Sequence, residues 1–209
     1  MNRRQAICGW RVCVVTDARL ARGRSHAEVV RAAIAGGADV IQFRDKEASD
    51  DVFHAAALEL CRICRAHNVP LIINDRVDIA CAVGADGVHV GQGDLPAMQA
   101  RARIGDRMLG VSASTLDEAR AACAAGADYL GVGPVFDAQG TKPDACPPIG
   151  LSGLAEICAA VDLPVMAIGG IHVVNCRQVF AAGATSIAVV SAVVAAVDIA
   201  RAVRDLKPV

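Results

Sequence analysis

Short apolar runs rich in valine and isoleucine recur along the whole chain, and most are followed by a helical pattern. The runs are continuous rather than alternating, which is typical of parallel strands covered by helices. Ala-rich stretches with a period of about 3.6 residues lie between them and predict helices at Ala27–Ala35, Asp50–His67, Thr115–Ala124 and Asn175–Ala182. The predicted strands are Val12–Val15, Val40–Phe43, Leu71–Ile73, Gly87–Val90, Met108–Val111, Tyr129–Val132, Pro164–Ile168 and Ser186–Val190. Eight alternations of strand and helix predict an α/β fold with a single closed (β/α)8 TIM barrel.

A repeated tripeptide supports the barrel. A glycine at this point of each repeat can end the preceding helix in a left-handed conformation. The repeats precede predicted strands two, four, six and eight, which is the period of a barrel built from four βαβα quarters. They are Gly37-Ala38-Asp39, Gly84-Ala85-Asp86, Gly126-Ala127-Asp128 and Gly183-Ala184-Thr185. No break in composition divides the chain, so we expect residues 1–209 to form one barrel domain.

One long segment has no periodic pattern. Residues 133–150, after the sixth predicted strand, contain four prolines and no run of helical or strand type. Long loops of this kind in compact domains are usually functional. We therefore expect a lid over the barrel.

Composition and charge exclude several classes of function. The 209 residues are 54% apolar with a formal net charge of −1, so the chain carries no basic field for a nucleic acid. The longest uncharged apolar stretch, residues 183–197, ends at Asp198, which is short of the roughly 20 residues of a membrane span. The first ten residues lack the apolar core of a signal peptide. We expect a cytoplasmic protein without nucleic-acid or membrane partners.

The nine cysteines follow no framework spacing, and their odd number argues against a disulfide scaffold. The only C-x-x-C pair, Cys61 and Cys64, lies within a predicted helix without a second pair at zinc spacing. Buried thiols are the better interpretation for most of them.

Polar side chains gather where the predicted strands end, which is where barrel enzymes hold their active sites. Gln42, Arg44 and Lys46 alternate after the second strand and can point to one side, where two cations suit a phosphate. Asp75 and Asp94 follow strands three and four; they either share a divalent cation with phosphate or cap the following helices.

A second anion site is expected at strands seven and eight. Gly169-Gly170 and Val190-Ser191 offer backbone N–H groups in the position of the phosphate site common to many barrels. His89 lies in an apolar strand end, where it is either a packed structural residue or a catalyst. Lys142, in the lid, can close over a phosphate. Two phosphorylated substrates, or one bisphosphate, fit this arrangement.

These segments together resemble the thiamine-phosphate synthase family over nearly the whole chain. Each motif alone is weak, and eight in order are specific. They are Gln42-Phe43-Arg44-Asp45-Lys46, Asn74-Asp75-Arg76-Val77-Asp78, Asp86-Gly87-Val88-His89-Val90-Gly91-Gln92, Gly110-Val111-Ser112, Gly131-Val132-Gly133-Pro134-Val135-Phe136, Thr141-Lys142, Ala167-Ile168-Gly169-Gly170-Ile171 and Val190-Ser191.

The resemblance implies condensation of hydroxymethylpyrimidine pyrophosphate with a thiazole phosphate, or its carboxylated form, giving thiamine phosphate and pyrophosphate. It implies one Mg²⁺ per subunit on Asp75 and Asp94, and it leaves a homo-oligomer possible. It assigns Gln42 to the pyrimidine. It assigns the pyrophosphate to Arg44, Lys46, Asn74, Ser112 and Lys142, and the thiazole phosphate to Gly170, Val190 and Ser191, with Thr141 beside them as a further substrate-binding residue. Arg44, Lys46, Ser112 and Lys142 are the implied catalytic residues.

One departure from the family pattern lies in the lid. The family commonly has P-x-F-x-T-x-T-K, whereas residues 134–142 are one residue longer and lack the first threonine. That threonine usually helps to hold the thiazole phosphate. Gly93 also stands where the family frequently has an acidic residue.

Three alternatives remain at this stage. A thiazole tautomerase of the same fold usually lacks the metal-binding Asp and has His at the position of Pro134, so both features favour the synthase. A non-catalytic barrel that binds a phosphate ligand is the second alternative. A phosphosugar aldolase or isomerase is the third, although no interior strand lysine suggests a Schiff base.

Overall fold

The computed structural model describes residues 3–138 and 146–207. Its strands pair in parallel in chain order, and the last pairs with the first, so that they form a closed barrel. The strands are β1 (Val12–Val15), β2 (Val40–Phe43), β3 (Leu71–Asn74), β4 (Gly87–Val90), β5 (Met108–Ala113), β6 (Tyr129–Val132), β7 (Val165–Ile168) and β8 (Ser186–Val189). The predicted (β/α)8 barrel is confirmed.

Helices follow the strands around the outside of the barrel, except for the first helix, which precedes β1. They are α1 (Arg3–Cys8), α2 (His26–Ala35), α3 (Asp50–Ala66), α4 (Val77–Val83), α5 (Ala97–Ile104), α6 (Leu116–Ala124), α7 (Gly150–Ala160), α8 (Cys176–Ala181), α9 (Ser191–Val194) and α10 (Ile199–Leu206). Ser25 and Thr115 begin α2 and α6 with capping boxes, in which Glu28 and Glu118 complete the reciprocal hydrogen bonds. Within the described ranges, no helix has the length and apolar character needed to cross a membrane.

Two apolar clusters hold the barrel together. The larger cluster lies between the strands and the helices, and it includes Cys61 and Cys64 of α3 as buried free thiols. Burial raises the pKa of the Cys64 thiol to about 12, which disfavours the reactive thiolate. The smaller cluster fills the barrel interior, where Ile7 and Trp10 pack against side chains from the strands. The chain before β1 therefore contributes directly to the interior.

The tripeptide repeat closes the end of the barrel at which the strands begin. The four repeat glycines all have positive φ: Gly37 (88°), Gly84 (66°), Gly126 (84°) and Gly183 (103°). The polar residue two positions later accepts a hydrogen bond from a backbone N–H at the start of the preceding strand. The pairs are Asp39 with Val12 (2.9 Å), Asp86 with Leu71 (2.8 Å), Asp128 with Leu109 (2.9 Å) and Thr185 with Val165 (3.4 Å).

The backbone completes the same pairs in the opposite direction. The N–H of Asp128, for example, donates to Leu109 O at 2.8 Å, and the other three repeats do the same. Each repeat thus links the start of an odd strand to the residue before the next even strand. The polar groups at this end satisfy backbone donors, so they are part of the framework.

We predict that Asp128→Ala lowers the free energy of unfolding by about 3 kcal/mol, because it leaves the buried Leu109 N–H without its acceptor and removes the carboxylate with which Arg101 forms an ion pair. Urea denaturation is the measurement. Asp78→Ala is the matched control: its carboxylate makes an exposed ion pair with Arg103 and should change stability by less than about 0.5 kcal/mol. Equal effects of the two substitutions would contradict the role of the repeat.

Candidate active site at the carboxyl ends of the strands

The opposite end of the barrel gathers polar groups from neighbouring strands. Arg44 follows β2, Asp75 follows β3, Asp94 lies in the loop after β4, and Ser112 belongs to β5. Because these four strands are consecutive neighbours in the closed sheet, the residues surround one sector of its mouth.

Arg44 is held in place from β1. Its guanidinium Nη1 donates to Asp17 Oδ2 at 3.0 Å, and the Asp17 residue is only 3% exposed. The buried Thr16 hydroxyl accepts from Arg44 N at 3.0 Å and donates to Arg44 O at 3.1 Å. The sequence analysis did not identify Asp17 as a partner. The available signal was the polar Thr16-Asp17 pair directly after an apolar strand.

Gln42, Arg44 and Lys46 have different surroundings at the end of β2. Gln42 is buried within β2, Arg44 pairs with Asp17 after β1, and Lys46 forms an ion pair with Asp75 after β3. Because β2 ends at Phe43, Arg44 and Lys46 lie in the loop that follows the strand. The two cations lie on opposite sides of β2 at the mouth.

The loop that carries both cations is braced at Asp45. Its carboxylate accepts from the N–H groups of Glu47 and Ala48 at 3.0 and 3.1 Å and contacts His26 Nε2 at 2.9 Å. Burial opposes ionisation, but these hydrogen bonds outweigh it and hold the pKa of Asp45 below its ordinary value. The His26 ring also packs edge-on against Phe43, with 4.9 Å between centroids.

Asp75 and Asp94 face each other across the ends of β3 and β4. Burial, followed by the hydrogen bond with Asp94, raises the pKa of Asp75 to about 6, although the pairing with Lys46 opposes this. Burial also acts against ionisation of Asp94, but the hydrogen bonds from Asp75 and from the Gly91 N–H (2.7 Å) hold its pKa below the ordinary value. Two adjacent carboxylates repel each other when both are ionised, and a bound cation would stabilise that doubly ionised state.

Neither carboxylate caps the helix that follows it. The N-cap residues of α4 and α5 are Arg76 and Pro96, and neither helix has a side-chain cap. Asp75 itself has a left-handed backbone, with φ of 61°, and its N–H donates to His89 O at 2.8 Å. Of the two sequence interpretations, the helix-cap one is therefore not supported.

The donor set fits a magnesium ion that completes its shell with phosphate and water. In the described parts of the chain, no cluster of three or more His, Cys, Asp or Glu residues is arranged to hold a metal. Mg²⁺ typically takes one or two carboxylates and fills its octahedron with substrate oxygens and water. Asp75 and Asp94 supply that number.

Polar groups continue from the mouth into the barrel interior. Ser112 Oγ lies 2.9 Å from His89 Nε2, and Gln92 Nε2 donates to Ser112 O at 2.6 Å. His89 Nδ1 lies 3.2 Å from Tyr129 Oη in the buried centre. Asn74, the last residue of β3, pairs in register with His89. The structure therefore brings Ser112, His89 and Asn74 to neighbouring strands of one sector.

The second expected anion site lies at the ends of β7 and β8. Gly170 and Ser191 line one cavity of about 530 Å³, together with Phe136, Asp137, Ile171, His172, Asn175 and Ala192. Gly170 has φ of 63°, and a Cβ there would lie 2.6 Å from Asp137 O, so glycine allows the loop after β6 to approach. Val190 is the N-cap residue of α9.

Asn175, which the sequence analysis did not single out, fixes this turn. Its Nδ2 donates to Gly170 O at 2.9 Å, and its Oδ1 accepts from His172 N at 2.8 Å. Thr141 and Lys142, both expected to contact substrate from the lid, lie outside the described residues.

Comparisons with known proteins agree on one family. A family model described as thiamine monophosphate synthase matches residues 12–193. A thiamine-phosphate synthase of Chloroflexus aurantiacus is 58% identical over 96% of this chain and 93% of its own length. One from Methanoregula boonei is 52% identical over 93% and 90%. The solved structure of thiamine phosphate pyrophosphorylase from Pyrococcus furiosus has a TM-score of 0.88 at 39% identity, covering 98% of this chain and 94% of that one.

We predict that the buried His89 makes stability depend on pH. Burial lowers the pKa of His89 from 6.5 to about 4, so the folded ring stays neutral while the unfolded chain takes up a proton below pH 6.5. The contribution of His89 to the free energy of unfolding is therefore fully present above pH 6.5, and it is lost as the pH falls from 6.5 towards 4.

The measurement is urea denaturation of the wild type and His89→Gln at pH 7.5 and 4.5. The stability difference between them should shrink by about 2–3 kcal/mol at the lower pH. Asp75 is present in both proteins, so its own titration cancels from the comparison. The same substitution at exposed His67 is the control. A wild-type advantage of constant size at both pH values would contradict the prediction.

Proposed function

Because the chain belongs to the thiamine monophosphate synthase family, we propose that its barrel mouth joins a hydroxymethylpyrimidine pyrophosphate to a thiazole phosphate. Members of this family are transferases of thiamine biosynthesis, and the chain is one of them. The proposed products are thiamine phosphate and pyrophosphate. The observation that carries the proposal is that two cations, Arg44 and Lys46, lie with the facing carboxylates Asp75 and Asp94 around one sector of the mouth, where Lys46 pairs with Asp75.

The pyrophosphate of the first substrate is proposed to bind in that sector. Arg44 and Lys46 offer charge-assisted hydrogen bonds, and Asn74 and Ser112 add neutral donors from β3 and β5. Asp75 and Asp94 would hold one Mg²⁺, which supplies electrostatic stabilisation of the negative charge that develops on the leaving group. Lys142 is proposed to complete the pyrophosphate contacts.

The pyrimidine ring is proposed to lie over Gln42, at the end of the barrel interior. The bond between the pyrimidine methylene carbon and the pyrophosphate oxygen breaks, and its electron pair leaves with pyrophosphate. The electron-rich aminopyrimidine stabilises the methylene cation. The thiazole nitrogen then donates its lone pair to that carbon, which requires the two rings to be held within attack distance.

The thiazole phosphate is proposed to bind in the cavity at β7 and β8. Gly170 and Ser191 line this cavity, the Asn175 contacts fix the turn, and the backbone N–H groups of Gly170, Val190 and Ser191 are proposed to bind the phosphate. Thr141 is proposed to reach the same substrate from the lid. Ala138 follows Asp137 where the family usually has its first threonine, so backbone donors must supply more of the phosphate contact in this chain. Exclusion of water by the lid at 133–150 protects the cation.

Both substrates are small diffusible molecules, and we place the reaction in the cytoplasm.

The purified chain is predicted to release pyrophosphate and form thiamine phosphate when both substrates and Mg²⁺ are present. Asp94→Ala should lower kcat by about 100-fold or more, because the metal site loses one of two carboxylates. The readouts are coupled detection of pyrophosphate and chromatography of thiamine phosphate. Asp106→Ala, which removes an exposed carboxylate outside the mouth, is the control and should retain full turnover.

Two outcomes would contradict the proposal. Turnover that persists undiminished in excess chelator would remove the metal assignment. Isomerisation of a thiazole carboxylate phosphate without any condensation would identify a tautomerase instead.

A further inference from the structure

We propose that His89 is a positioning residue that holds the Ser112 hydroxyl as a hydrogen-bond donor towards the leaving pyrophosphate. It does so at the centre of a chain of four side chains, Gln42, Tyr129, His89 and Ser112, which we call the interior relay. The inference rests on the proposed function, in which Gln42 contacts the pyrimidine and Ser112 the pyrophosphate. His89 and Tyr129 are given no part in that function.

The relay is continuous through the middle of the barrel. The Gln42 side chain lies near enough to Tyr129 Oη to affect its ionisation, and Tyr129 Oη lies 3.2 Å from His89 Nδ1. His89 Nε2 lies 2.9 Å from Ser112 Oγ. Gln42 and His89 are 5% and 8% exposed, and Tyr129 is fully buried, so water does not compete for these bonds. Buried polar groups of this kind are retained only when they are hydrogen-bonded.

Two glycines provide the space that the relay occupies. A Cβ at Gly110 would lie 2.4 Å from His89 Nδ1 and 2.2 Å from Tyr129 Cζ. A Cβ at Gly131 would lie 2.6 Å from His89 Cε1. Neither glycine has a positive φ, so the backbone does not require glycine at these points. The two rings fill the space instead, and the imidazole is fixed on both sides.

The protonation states of the two rings determine which group donates in each hydrogen bond of the relay. Burial keeps the pKa of His89 near 4 and raises the pKa of Tyr129 well above 10, so both rings are neutral at pH 7. A neutral imidazole has one donor and one acceptor nitrogen. If the Gln42 amide donates to Tyr129 Oη, the phenol donates to Nδ1 and the proton of His89 stays on Nε2.

The Nε2–H group then donates to Ser112 Oγ, and the proton of Ser112 is free to point into the mouth. The opposite direction would turn the lone pairs of Ser112 towards an anion, which is unfavourable. The Ser112 backbone is also pinned, because Gln92 donates to its carbonyl. A preorganised hydroxyl stabilises the charge that develops on the leaving oxygen without reorganising during the reaction.

The test is a double-mutant cycle between Tyr129→Phe and Ser112→Ala, read as kcat for pyrophosphate release. Tyr129→Phe removes only the hydroxyl that orients His89. Alone, it should lower kcat about tenfold, the equivalent of one lost hydrogen bond, with less than about a twofold change in KM for the pyrimidine substrate. In the Ser112→Ala background it should cost less than about twofold, because no hydroxyl is left to orient.

Met166→Leu is the matched control, because Met166 packs in the same interior cluster as Tyr129. Leucine has nearly the same volume as methionine, so the substitution should preserve the packing. It should leave kcat unchanged in both backgrounds. Thermal unfolding of every variant ensures that kcat is compared on folded protein.

A second pair of variants tests His89 directly. His89→Gln keeps an N–H donor and should retain several-fold more kcat than His89→Leu, with both unfolding at similar temperatures. Two results would overturn the relay in a chain whose wild type turns over. One is an equal loss of kcat in His89→Gln and His89→Leu. The other is a double variant of Tyr129→Phe and Ser112→Ala whose loss of kcat is the product of the two single losses. A wild-type chain that releases no pyrophosphate would overturn the proposed function and this inference together.

Discussion

Closure of eight parallel strands into one ring is the constraint on which the rest of this structure depends. In a parallel barrel every strand begins at one end and finishes at the other, so the two ends acquire different roles. Where the strands begin, Asp39, Asp86, Asp128 and Thr185 satisfy backbone donors and link successive strands. Where the strands finish, the polar groups face each other across the mouth.

The charges at that mouth are balanced locally before any substrate arrives. Arg44 is paired with Asp17, and Lys46 with Asp75, while Asp75 and Asp94 are held against each other. A bare anion would have to compete with these carboxylates for the cations. A pyrophosphate that arrives with a divalent cation would meet both needs, because the cation would satisfy Asp75 and Asp94 and the phosphate oxygens would take over Lys46. In the proposed function, the arrangement would thus favour a metal–pyrophosphate complex over either component.

Much of the fold was predictable because continuous apolar runs and the glycine repeat are local signals. The strand predictions agree with the structure within two residues at each end. The predicted helix ranges correspond to α2, α3, α6 and α8, whereas α9 has four residues, too few to show a period. The repeat predicted the left-handed glycines, but not that Asp128 would bond the start of β5, because that partner lies 19 residues away.

For the candidate site, the sequence predicted which residues lie at the mouth better than it predicted the partners of their side chains. Strand ends identified Arg44, Lys46, Asp75 and Asp94, but not the separate partners of the two cations, Asp17 for Arg44 and Asp75 for Lys46. Asp17 pairs with Arg44, and Tyr129 contacts His89, only because the closed barrel brings together strands that are distant in sequence. Gly110 and Gly131 gave no signal of their own, since the rings they accommodate come from other strands.

Calorimetric titration with inorganic pyrophosphate measures directly whether the mouth binds a metal–pyrophosphate complex, and it needs no turnover. We predict one binding event per chain when Mg²⁺ is present and binding at least about tenfold weaker in chelator, the equivalent of about 1.4 kcal/mol. Equal affinity with and without Mg²⁺ would contradict a mouth built for the metal–pyrophosphate complex.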